Sequence, residues 1–199
     1  GNDTIDGLQG NDNISGFAGD DLLWGGGGED QVFGGEDNDS IAGQEDDDEL
    51  YGEGGPDYIQ GGTGSDNIVG AVGDDVLLGG DDPDVIDGDD DNDWLDGGSD
   101  GDMLYGGDGT DILWGKHGSD FLSGGSGIDT LIGGPGADDV GGGGDDDLYV
   151  WYGGDGDDTI TGETGGDDVL WLGGVEPNDV IQLHVDDDLW IVLPDATLV

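Results

Sequence analysis

Apolar residues recur along this chain at intervals of nine. Ile14, Leu23, Val32, Ile41, Leu50 and Ile59 begin a series that runs without a gap to Val140 and Tyr149. This period matches neither the 3.6-residue spacing of an amphipathic helix nor a long two-residue alternation. It predicts three-residue strands, each with one inward side chain, joined by six-residue turns. Counted from Gly7, 16 consecutive nine-residue units reach Val150. Position 1 is Gly in every unit, position 6 is Asp, and position 8 is apolar. Two units make turn, strand, turn, strand, which closes a coil of 18 residues on which the next coil stacks in register.

Composition sharpens this picture. The 199 residues include 49 Gly, 52 Asp plus Glu and one basic residue, Lys116, for a formal charge of -51. Such a surface repels nucleic acid and anionic membrane, which bind Lys and Arg, so cations are the expected partners. Acidic, Gly-rich chains are ordinarily disordered, but here the acids are placed by the repeat. Without Cys there is neither a disulfide framework nor a thiolate metal site. No apolar run approaches the roughly 20 residues of a membrane-spanning helix. The start at Gly1-Asn2-Asp3, with no initiator Met and no signal-peptide pattern, reads as an excised piece of a longer protein.

Units such as Gly61-Gly62-Thr63-Gly64-Ser65-Asp66-Asn67-Ile68-Val69 resemble the RTX (haemolysin-type) calcium-binding nonapeptide repeat, GGxGxDxUx. The resemblance implies an all-β fold, a right-handed parallel β-roll solenoid with 18 residues per coil. Residues 1–150 form its calcium-binding part, with 16 full repeats and a partial one. Strands of a parallel ladder lie about 4.8 Å apart, so a cation midway between Asp66 and Asp84 would be about 2.4 Å from each, within calcium's oxygen range and too long for magnesium. The resemblance further implies that carbonyls at positions 2 and 4 of one turn, and at 1 and 3 of the next coil, complete each site. Two columns result. One holds Asp12, Asp30, Asp48, Asp66, Asp84, Asp102, Asp120 and Asp138; the other holds Asp3, Asp21, Asp39, Asp57, Asp75, Asp93, Asp111, Asp129 and Asp147. Asp158 is a further candidate ligand in the irregular repeat that follows. Filling every gap takes up to about 15 calcium ions and lowers the charge to about -21. Six units carry Asp in place of Gly at position 4, namely Asp37, Asp46, Asp82, Asp91, Asp100 and Asp145. Asp tolerates a left-handed backbone, so these turns are expected to keep their shape.

The core expected from one apolar residue per unit is thin, and folding is expected to require the metal. Positions 7 and 9 face outward, yet one set of strands carries Tyr58, Val76, Leu78, Trp94, Ile112, Trp114 and Ile132. This stripe is a candidate surface for a protein partner, a second protomer or the C-terminal segment. After Val150 the register slips by two at Trp151-Tyr152, then blurs around Asp168-Val169-Leu170. Residues 151–199 are expected to form irregular repeats and a cap. In it, Asp179-Val180-Ile181-Gln182-Leu183 and Leu189-Trp190-Ile191-Val192-Leu193 make a β-hairpin. Asp195-Ala196-Thr197-Leu198-Val199 is similar to the uncleaved export signal of type I secreted RTX proteins.

No environment singles out one Asp from its copies as an acid or base. His117 and His184 belong to no HExxH pattern, and GxSxG and Walker motifs are absent. We therefore read the chain as no enzyme. It is a secreted, extracellular calcium-binding structural module that folds on the ion outside the cell, as stalk or folding unit of an exoprotein, adhesin or filament. The alternatives are a carbohydrate-binding repeat module, or the C-terminal module of a secreted enzyme whose catalytic domain is not in this sequence.

Overall fold

The computed structural model describes residues 1–152, 156–161, 164–173 and 190–192. Over these residues the chain winds as a parallel β-solenoid with no helix. Successive strands alternate between two parallel sheets. One begins with Thr4–Asp6 and Leu22–Gly27 and continues through Leu148–Tyr152 and Val169–Gly173. The other runs from Asn13–Ala18 to Asp139–Gly144 and Thr159–Ile160. As far as Thr130↔Leu148, each strand pairs with residues 18 further along, as in Ile41↔Ile59 and Leu95↔Leu113. Side chains at one repeat position therefore stand in a file along the axis. The inward file at position 8, from Ile14 to Tyr149, is buried and is continued by Ile160, Leu170 and Leu172.

The strands are longer than three residues. Val85–Asp90 pairs with Met103–Asp108 at positions 7, 8 and 9, then again at positions 2 and 3 of the next unit, with the position-1 glycines left out of the register. The ladder thus turns a corner at position 1 and resumes, because the backbone after the corner still faces its neighbour one coil away. This continuation requires left-handed backbone at positions 2 and 4. At position 4 all six Asp residues adopt it, from Asp100 at φ 72° to Asp37 at φ 81°, so the turns survive the loss of Gly as expected. At position 2 the same conformation is imposed on Leu8, Phe17, Gln44, Glu53, Ala71, Asp89 and Lys116. A Cβ is disfavoured there, and the coils above and below hold the backbone in place.

The two-residue slip is absorbed outside the core. Asp139 pairs with Thr159 and Val140 with Ile160, a spacing of 20, and Leu148 pairs with Val169, a spacing of 21. Both sheets retain their inward files. Tyr152 and Trp171 meet edge to face, with centroids 5.5 Å apart. Of the expected terminal hairpin, Trp190–Val192 runs parallel to Val169–Gly173 and extends the first sheet by one strand. Its other arm, residues 179–183, lies outside the described residues, as do His184 and residues 195–199.

Leu95 is fully buried in the inward file. Leu95→Ala is expected to cost the calcium-loaded chain about 2–5 kcal/mol in guanidinium unfolding, whereas the outward Ser123→Ala shifts it by less than about 0.5 kcal/mol.

Candidate metal centre

Position 6 lies at the seam between turn and strand, and its backbone is fixed from the following coil. Asp66 N–H donates to Asp84 Oδ1 at 2.8 Å, and Asp66 C=O accepts from Val85 N–H at 2.9 Å. The carboxylate bond recurs along both columns, from Asp12 to Asp30 and Asp39 to Asp57 through Asp111 to Asp129 and Asp129 to Asp147. The column beginning at Asp12 therefore comes together as its spacing predicts, and so does the column beginning at Asp3. Asp158 joins across the 20-residue interval, accepting from Asp138 N–H at 3.1 Å. Asp168 extends the other column, accepting from Asp147 N–H at 2.9 Å, and is buried. Asp168 is absent from the ligands expected from the nine-residue count, because its interval is 21. The signal that finds it is Leu170, an apolar residue two positions later, as in every regular unit.

Each carboxylate is thereby divided. From Asp21 and Asp30 onward, Oδ1 accepts an amide from the coil before. The second oxygen has no protein partner. In Asp30, Asp48, Asp66, Asp84, Asp102 and Asp120, and likewise in Asp21 through Asp129 of the other column, Oδ2 is buried without a hydrogen bond. An unpaired buried carboxylate oxygen is costly. It points toward the position-1 Gly of its own unit. A Cβ built on Gly97 would lie 2.5 Å from Asp102 Oδ2 and 2.9 Å from Gly115 O, the carbonyl one coil further on. The same two oxygens, one carboxylate and one carbonyl, converge beside position 1 in each unit from Gly7 with Asp12 to Gly124 with Asp129. Gly is required there because any side chain would fill this cradle. Beside Gly133 and Gly142, where the period lengthens, the three nearest atoms all belong to Asp138 and Asp147.

Among the described residues no group of three or more His, Cys, Asp or Glu side chains could hold a metal ion by itself. A cation here must take most of its ligands from backbone carbonyls. Calcium does so readily, accepting six to eight oxygens in flexible geometry, whereas magnesium demands a strict octahedron and transition metals favour nitrogen or sulfur. The orphaned Oδ2 and the adjoining carbonyls fit calcium. His117, expected in a turn, is exposed at the end of the strand Ile112–His117; burial raises the pKa of the nearby Asp120, opposed by the Asp102 amide and more weakly by His117.

Without a cation the buried carboxylates resist ionisation. Burial pushes Asp84 and Asp93 up to about 8; the backbone amide opposes the shift, and the charges above and below in the column add to it. Asp48, Asp57, Asp102 and Asp147 are raised to about 7, and Asp66, Asp75 and Asp111 to about 6, again by burial first.

Geometry and donor chemistry together describe a parallel β-solenoid whose stacked Asp columns fit a hard divalent cation. The family model for the RTX calcium-binding nonapeptide repeat matches the chain in overlapping segments from residues 1–32 to 114–149, and again over 152–174. The chain belongs to the RTX calcium-binding repeat family and is a calcium-binding structural β-roll module. No curated protein matches it.

Because the folded-state pKa values lie above the unfolded value of about 3.9, the metal-free fold holds extra protons between about pH 4 and 8. Its stability is fully present below that window and is lost as pH rises through it. Far-UV circular dichroism of the calcium-stripped chain should show β structure declining from pH 4 to 8. A β signal that grows with pH would contradict this assignment of the carboxylates.

Proposed function

We propose that the chain is a calcium-triggered folding module of an extracellular protein, in which ions bound along both Asp columns lock each coil to the next. The observation that carries this reading is the unpartnered Oδ2 aimed at a carbonyl of the following coil, repeated with the sequence period. The residues we assign as ligands are the position-6 aspartates, from Asp3 and Asp12 to Asp138 and Asp147, with Asp158; the corresponding place of Asp168 extends the assignment by one. Each contributes Oδ2, and the neighbouring position-1 carbonyls contribute the rest. The regular module ends near residue 150, where the period changes, and residues 151–199 serve as its terminal segment.

Ion binding and folding are one event here. The cradle exists only when two coils are stacked, so the unfolded chain has no site and the binding free energy becomes folding free energy. Extracellular calcium modules have affinities of about 10⁻⁴–10⁻³ M. At such affinity the chain stays unfolded at low intracellular calcium and becomes rigid outside the cell. This behaviour suits the stalk or folding unit of an exoprotein, adhesin or filament, and RTX repeats are characteristic of secreted proteins. The outward apolar stripe is where a partner would attach.

A calcium titration followed by circular dichroism, with stoichiometry from equilibrium dialysis, should show cooperative β formation and up to about 15 ions per chain. An unchanged β spectrum in excess chelator at neutral pH would refute the reading. Gly97→Ala, which fills one cradle, should reduce the stoichiometry and raise the calcium midpoint. The outward Ser123→Ala should do neither.

A further inference from the structure

The outer face of the first sheet carries an apolar band that neither the core nor the metal columns use. Tyr58, Val76, Trp94 and Ile112 occupy successive rungs at position 7. Tyr58, Trp94 and Ile112 are 44%, 44% and 46% exposed, more than any inward residue. Trp114 stands two residues from Ile112 on the same face. Taken from Tyr58 to the rung of Ile132, the band spans four ladder spacings, about 19 Å. That length matches a helix of about 13 residues laid along the solenoid axis.

Charge decides what covers it. The face already holds a cation. Lys116, the one basic side chain in the sequence, places Nζ 3.1 Å from Asp96 Oδ2 and 3.4 Å from the centre of the Trp114 ring. An ammonium held between a carboxylate and an indole face is stabilised by both the ion pair and the ring quadrupole. Asp74 and Asp81, both exposed, flank the Val76–Leu78 stretch of the same strand region. A second copy of a chain with a formal charge of -51 would bring further negative charge to this face, and an anionic partner would do the same.

We propose that this face docks a cationic amphipathic segment of a partner protein. The segment's apolar side chains cover Trp94 and Ile112, and its Lys or Arg side chains meet the bordering carboxylates as Lys116 meets Asp96. The proposal goes beyond the calcium-dependent folding above, and it is tested on the full chain in saturating calcium, with circular dichroism confirming the fold separately. The probe is a synthetic helix of about 14 residues with Leu at i, i+3, i+4 and i+7 and Lys elsewhere. Binding is read by calorimetry and Trp emission. The Leu/Lys peptide should bind the wild type and persist in about 1 M salt, where the screening length falls to about 3 Å. Trp94→Ser with Ile112→Ser should weaken it at least about tenfold with an unchanged β spectrum. A Ser/Lys peptide of equal charge should bind both chains alike and be released by salt. The proposal is overturned if the double variant binds the Leu/Lys peptide as tightly as the wild type, which would mean attraction to the polyanion at large. It is equally overturned if a Leu/Glu peptide binds as well, or if sedimentation shows two copies covering the face.

Discussion

The structure depends on how one carboxylate is shared between two coils. From Asp21 to Asp129, Oδ1 of each repeat Asp receives the amide of the Asp one coil earlier, and Oδ2 is left buried beside a carbonyl one coil later. The first contact sets the register of the stack. The second leaves a charge that the protein cannot satisfy, in surroundings that raise the pKa well above its ordinary value. Protons or a hard cation would remove that penalty. In the proposed function the cation does so at neutral pH. The single file of inward apolar side chains keeps the coils aligned.

Backbone conformation is the second constraint, and it serves the first. Carbonyls can converge on an ion only if the turn reverses direction over very few residues, which demands left-handed backbone at alternate positions. Position 1 tolerates no side chain because the cradle occupies its place. Position 4 tolerates Asp, whose short side chain suits that region, and position 2 tolerates even Phe17 and Lys116 because their side chains project away from the cradle into solvent or onto the outer face. Strain is thus distributed at positions where neighbouring coils fix the chain. Stability in such a stack is a sum over coils and their interfaces, so a local defect at one cradle weakens two neighbours and leaves distant coils intact.

Much of this was legible in the residues. The invariant Gly, Asp and apolar positions define the coil length, the inward file and the two columns, because a solenoid maps residues 18 apart onto the same place. The outward stripe could be located by the same arithmetic, since Trp94 and Ile112 fall on adjacent rungs. Strand length was less legible, because Gly-rich stretches give no propensity signal and position 2 hides a ladder continuation that depends on the next coil. Asp168 was hidden for a related reason: insertions of two or three residues destroy a fixed count, yet the apolar residue two positions after it still fills the core.

Sequence alone determined the period, the residue type at each place in the coil and hence the chemistry of the columns, since these follow from counting. Tertiary structure decided which oxygen of each carboxylate is spent on an amide and which remains for a cation, and that one carbonyl from the following coil completes the cradle beside position 1. It also decided that Lys116 lies on Trp114. These relations join residues from different coils, and the direction in which a side chain turns between two stacked backbones is set by the hydrogen bonds available there, which no single repeat contains.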